Sequence, residues 1–121
     1  MNKQDYPKYF RQRFLVSLLE MAGGSLGKMD FQKLLFLSQQ KTEIHHFDFV
    51  PYHYGCYSFQ AASDLDVLEK NGWIHKKGNT VSLLRSLPVE KSLKKQERNE
   101  LALFMRTHKH FRNRALVRHI Y

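Results

Sequence analysis

A mainly α fold with a small β-hairpin, of the α+β class, is predicted by three observations. Apolar residues recur at helical spacing in three successive segments ahead of residue 71. The third segment runs into Asn71-Gly72, a pairing suited to ending a helix. Directly after it, Trp73-Ile74 and Val81-Ser82-Leu83-Leu84 flank a basic turn from His75 to Thr80, in which Gly78-Asn79 can take hairpin backbone angles. Helix, strand, basic turn, strand is the second half of a winged helix-turn-helix. That architecture is expected for residues 1–84, with residues 85–121 forming a basic connector and a C-terminal helical extension.

Each element follows from its residues. Pro7 suits the first turn of a helix, and Tyr9, Phe10, Phe14, Leu15, Leu18, Leu19 and Met21-Ala22 carry the helical period until Gly23-Gly24 ends it. A short polar loop is expected up to Lys28. Phe31, Leu34, Leu35, Phe36 and Leu37 predict a second helix, with Asp30 at its positive N-terminal end. This helix is apolar on most sides and is expected to be central. From Lys41 to Tyr57 helical signals are few; Phe47-Asp48-Phe49-Val50 alternates as an extended piece, and Pro51 keeps it out of a sheet interior. Ser58 is a good N-cap for the third helix. There Phe59, Ala62, Leu65 and Leu68 are expected to face the core, and Gln60, Ser63, Asp64, Lys70 and Asn71 the outside. Beyond the connector, Leu101, Leu103, Phe104 and Met105 suggest a fourth helix, and Phe111, Ala115, Leu116 and Ile120 a fifth. The pattern stops without a cap at Tyr121, as expected of a module leading into a downstream domain.

Composition bounds the function. The chain is 42% hydrophobic with nine Phe, enough for a true core. No apolar run approaches the roughly 20 residues of a membrane span, and Met1-Asn2-Lys3-Gln4-Asp5 lacks the apolar stretch of a signal peptide. Cys56 is the single cysteine, which excludes an internal disulfide and suits a cytoplasmic protein. The net charge of +9 is unevenly spread: residues 1–84 hold ten Lys and Arg against eight Asp and Glu, whereas residues 85–121 hold ten against three. A basic segment attracts phosphate through counterion release, so double-stranded DNA is a candidate partner. The plain alternative is a solvated basic surface.

Several segments resemble a group of bacterial winged-helix modules. They are Phe31-Gln32-Lys33-Leu34-Leu35-Phe36-Leu37, Phe49-Val50-Pro51-Tyr52-His53-Tyr54-Gly55-Cys56-Tyr57-Ser58, Asp64-Leu65 and Gly72-Trp73-Ile74. One branch is the Panacea domain of antitoxins and of an adaptor for proteolysis, similar over about residues 30–75. Another is the N-terminal module of uncharacterised bacterial proteins that continue into a domain of unknown function. To that branch most of residues 9–121 is similar, including Arg114-Ala115-Leu116-Val117-Arg118-His119-Ile120-Tyr121. Gly55-Cys56-Tyr57 departs from the Gly-Pro pattern common in the Panacea branch. The resemblance implies the fold more than an activity.

Candidate sites divide by chemistry. His45, His46, His53 and Cys56 lack the paired spacing of a zinc site, so no metal or other cofactor is expected. Cys56 with His53 has no third orienting group for a nucleophile, and no carboxylate pair or phosphate loop appears, so no enzyme is expected. Cys56 is read instead as a small buried hydrophobe. The third helix is the usual groove reader in this fold; Gln60 and Ser63 can bond to bases, but Asp64, Asp66 and Glu69 would repel phosphate. The compensating charge is sought in His75, Lys76 and Lys77 of the wing and in Arg85, Lys94, Lys95, Arg112 and Arg114 of the tail. Tyr52, His53 and Tyr57 of the aromatic loop are the candidate protein contacts, unless its rings plug the gap between helix two and the wing. Two functions follow. One is a DNA-binding module of a transcriptional regulator or a larger bacterial protein. The other is an antitoxin-like adaptor that docks a partner or its own downstream domain. The apolar faces of the tail must be covered by the body or by a second copy, and a homodimer is expected.

Overall fold

In the computed structural model, which describes residues 6–52, 55–87 and 93–108, the first helix is α1 (Phe10–Met21). It begins three residues beyond Pro7, where the amides of Gln12 and Arg13 bond to the Tyr9 carbonyl. It ends at two consecutive glycines, Gly23 (φ 102°) and Gly24 (φ 94°), with the Gly24 amide bonding back to the Leu19 carbonyl at 2.9 Å. Side chains with a Cβ rarely adopt such angles, so the glycine pair terminates the helix by backbone geometry.

The segment expected to be a polar loop contains a strand, β1 (Ser25–Gly27). Its one buried side chain is Leu26, and one residue gives no alternation to read. α2 (Lys28–Lys41) follows and is buried along most of its length, with Phe31, Leu34 and Leu35 fully enclosed. A hairpin then forms from β2 (Val50–Tyr52) and β3 (Gly55–Tyr57), with Val50 opposite Tyr57 and Pro51 opposite Cys56. Pro51 is accommodated because a two-stranded ribbon has no interior strand.

α3 (Phe59–Lys70) is capped by Ser58, whose Oγ accepts from the Ala61 amide at 3.1 Å. It exits through Asn71 and Gly72 (φ 83°) into β4 (Ile74–Lys77) and β5 (Thr80–Leu83), joined at Gly78-Asn79. β1, β5 and β4 form one antiparallel sheet in that order, with Leu26 opposite Val81 and Lys76 also opposite Val81.

α4 (Lys95–His108) lies against α1 and α2. Leu101, Phe104 and Met105 are buried in the same cluster as Phe14, Leu34, Leu35, Leu65, Leu68 and Trp73, whereas Leu103 is exposed. Leu87 and Leu93 join the cluster from either end of the connector. The body therefore covers the apolar face of this helix; the fifth helix expected beyond it lies outside the described residues. Among the described residues the chain is α+β, with four helices and two small antiparallel sheets, and no helix is long and apolar enough to cross a membrane.

The inward face of α3 is as expected at Leu65 and Leu68 and differs from expectation at Phe59, Ala62 and Asp64. Its buried stripe is Ala61, Asp64, Leu65 and Leu68, at the helical spacing i, i+3, i+4, i+7, while Ala62 is half-buried. Phe59, two positions before Ala61, is turned about 200° away and is 57% exposed. Asp64 was expected outside yet is buried. Polarity misassigned it, because α1 supplies it with partners that the local sequence does not show.

Candidate nucleic-acid interface

The exposed face of α3 carries Phe59, Gln60, Ser63, Asp66, Val67, Lys70 and Asn71, beside the hairpin made by β4, β5 and their turn. Its charges are settled mainly by partners outside the helix. Asp64 accepts from Arg11 Nε at 2.7 Å, from Arg11 Nη2 at 3.4 Å and from Gln12 Nε2 at 3.2 Å. A buried carboxylate held by a guanidinium fork and an amide is satisfied where it stands and presents no charge on the outer face of the helix.

The other two acids of α3 are tied to β4. Asp66 forms an ion pair with Lys76 Nζ. Glu69 Oε2 accepts from the Lys76 amide at 2.9 Å, and its Oε1 lies 3.8 Å from Lys76 Nζ. His75 Nδ1 is 3.8 Å from Glu69 Oε2. Lys76 is thus less available to a ligand than its position in the β4–β5 hairpin suggests, and His75 and Lys77 remain exposed.

The remaining candidates are spread more widely. Gln60 is exposed, but its Oε1 accepts from the Asp48 amide at 2.9 Å and so braces the loop before β2. Ser63 is exposed on the outer face. Arg85 stacks its guanidinium 4.0 Å from the centre of the Trp73 ring, next to the exit of α3. Lys94 is 5.8 Å from the Phe10 ring on α1, and Lys95 opens α4, exposed to solvent. Arg112, Arg114 and His53 lie outside the described residues.

The aromatic loop behaves differently from a plug. Tyr52, Tyr57 and Phe59 form a mutual cluster with ring centres 4.8 to 5.5 Å apart, and Tyr52 and Phe59 are 49% and 57% exposed. Phe49 does turn inward, edge-on to Phe36 at 5.2 Å. Cys56 is half-buried rather than enclosed, because a ribbon covers its strands on one side only.

Two contributors escaped the sequence reading. Arg11 neutralises Asp64 from a distance of 53 residues, and the only local hint was that position 64 shares the helical face of Ala61, Leu65 and Leu68. Lys28, exposed at the start of α2, gives its amide to the Asn79 carbonyl in the wing turn at 2.7 Å. Comparison with family models, curated proteins and solved structures found no match to the chain.

Proposed function

We propose that the chain is a winged helix-turn-helix module that binds double-stranded DNA with little sequence preference, as a transcriptional regulator or the DNA-targeting part of a larger bacterial protein. The element order α1-β1-α2-α3-β4-β5, with the sheet ordered β1-β5-β4, supports the fold. The observation that carries the function is the pairing of all three α3 carboxylates, Asp64 with Arg11 and Asp66 and Glu69 with Lys76. Lys76 leaves one of those charges unbalanced, and Lys70 and Lys77 then turn the sum over this face to +1, next to Gln60 and Ser63, with the basic tail adding to it. Lysines that meet phosphate position a protein without specifying sequence.

The test is fluorescence anisotropy of the full chain with a random-sequence duplex over a range of salt. Contact with five or six phosphates gives a slope of log K against log salt of about −5. An affinity that does not respond to salt sinks the reading.

A second reading has its own observation. Val50, Tyr52 and Phe59 are exposed side by side with Tyr57, and exposed aromatics of this kind anchor protein interfaces. On that reading the module is an adaptor, its binding is insensitive to salt, and Tyr52→Ala with Phe59→Ala removes it.

A further inference from the structure

Around the first turn of α1, aromatic rings and cations alternate in one surface patch. Tyr9 and Phe10 are 44% and 45% exposed. The Arg11 guanidinium lies 4.6 Å from the centre of the Tyr9 ring, and Lys8 Nζ lies 5.3 Å from it. Arg13 lies 4.6 Å from the centres of both Tyr6 and Phe10, and Lys94, just ahead of α4, is 5.8 Å from Phe10. A cation near the face of a ring is attracted by the ring quadrupole, so these contacts hold the rings at the surface. Of the four cations only Arg11 meets a carboxylate, that of Asp64. Among the described residues no carboxylate pairs with Lys8, Arg13 or Lys94. Arg13 donates from Nε and Nη2 to the Pro7 and Lys8 carbonyls, at 2.8 and 3.1 Å, which fixes its position without cancelling its charge. Arg11 meets α3 at Asp64, on the buried stripe, so this patch and the exposed face of α3 are distinct surfaces.

We propose that this patch binds single-stranded DNA, with unpaired bases stacked on Tyr9 and Phe10 and phosphates beside Lys8, Arg13 and Lys94. Exposed rings next to uncompensated cations match a strand that offers bases and phosphates in alternation. A duplex hides its base faces and would leave both rings uncovered. An acidic peptide answers the charge but brings no flat face to each ring. An RNA strand adds a 2′-hydroxyl, for which the carbonyls beside the rings are already engaged. Those of Pro7 and Lys8 accept from the Arg13 side chain, and that of Tyr9 accepts from the amides of Gln12 and Arg13. The inference stands whether or not the outer face of α3 meets duplex DNA.

The experiment is fluorescence anisotropy of the full chain with a short labelled oligothymidylate, set beside an abasic strand and an oligouridylate of equal length and a random-sequence duplex. Saturable binding of oligothymidylate is expected, with a slope of log K against log salt of about −2 for three cations on a single strand. The abasic strand keeps the phosphates but not the bases, and should bind about tenfold more weakly. Tyr9→Ala should weaken oligothymidylate about tenfold and leave the abasic strand and the duplex unchanged. Tyr9 is exposed and its side chain makes no cap hydrogen bond to α1, so the variant keeps the fold. Tyr9→Phe retains the ring and should bind as the parent chain does. Lys8→Ala with Lys94→Ala, both exposed, should weaken oligothymidylate and the abasic strand alike and lower the slope by about one. Absence of saturable oligothymidylate binding at low salt overturns the proposal, as does equal binding of the abasic strand or an unchanged affinity in Tyr9→Ala. Competition by polyglutamate as strong as by oligothymidylate shows that charge alone is read, and tighter binding of oligouridylate moves the patch to RNA; either overturns it. Binding of oligothymidylate without the duplex sinks the duplex reading and leaves this one standing, and the reverse outcome removes this one alone.

Discussion

Gln32 and Gln39 stand seven residues apart on α2, and each treats a stretch of backbone as a strand neighbour would. Gln39 donates from Nε2 to the Phe47 carbonyl at 2.8 Å and accepts at Oε1 from the amides of Phe47 and His46, at 2.8 and 2.9 Å. Gln32 does the same to Ser58. Between them they satisfy backbone groups that the irregular segment before α3 cannot satisfy itself. Gln39→Leu should therefore cost about 1–3 kcal/mol, since it strands buried amide groups. Urea unfolding measures this, and a loss near zero would mean that the segment rearranges freely. A related asymmetry holds at Asp64. Arg11→Ala leaves a buried carboxylate without its cation, whereas Asp64→Asn leaves a guanidinium that is 42% exposed and open to water. Arg11→Ala is expected to be the more destabilising of the two in the same assay. Residues of this kind are where sequence reading loses sight of the molecule. Ser58 was legible as a cap because its partner lies three residues away; Asp64 was not, because its partners lie on another helix.

At the scale of elements, α3 and the wing act as one charged unit. Lys76 pairs with both Asp66 and Glu69 and offsets one of their two charges, while Lys77 has an exposed side chain at the end of β4. On the DNA reading, Lys77→Ala should weaken binding to all duplexes alike and lower the salt slope by about one. Lys76→Ala should weaken it several-fold more, because it also uncovers two carboxylates beside the phosphates. Adding Asp66→Asn to Lys76→Ala should recover part of that excess. Equal effects of the two lysines in the anisotropy titration would contradict this division of labour. The β4–β5 hairpin was legible because Gly78-Asn79 sits between two apolar runs, and α2 because its apolar residues are dense. β1 was not, since three residues with one buried leucine carry no period. The face of α3 was misread at Phe59 because an apolar residue next to a cap is governed by the angle of the helix, not by its own hydropathy.

Across the whole molecule, α4 is joined to the body by burial and by polar contacts. Leu101, Phe104 and Met105 enter the common core. Glu97 reaches His46 Nε2 at 3.2 Å, and Glu100 accepts from the Glu43 amide at 2.9 Å. Each fully buried side chain of this size contributes about 1.5–3 kcal/mol, against a total stability of about 5–15 kcal/mol for a domain. A chain cut after Leu84 is therefore expected to melt at much lower temperature, or not to fold, when followed by circular dichroism. An unchanged melting curve would show that α4 contributes little. On the DNA reading, a role for the basic tail is thus better tested by charge substitutions in the full chain than by truncation. The amphipathic spacing of Leu101, Phe104 and Met105 signalled a helix with a sticky face, but what would cover that face was not written locally.

β1 is fastened beyond both ends: the Leu83 amide bonds to the Gly24 carbonyl at 2.7 Å, and the Lys28 amide to the Asn79 carbonyl at 2.7 Å. These two bonds bracket the three-residue ladder to β5 and connect the α1–α2 link to the strand and tip of the wing. Amides locked in one ladder open together, as a single cooperative unit. The Lys28 and Leu83 amides should then exchange with deuterium at a common rate and with a common dependence on denaturant. Rapid exchange at Lys28 beside slow exchange at Leu83 would separate the wing tip from the start of α2. With a common rate, the wing cannot lift without also loosening the first turn of the central helix, so an event at the tip is felt in the core.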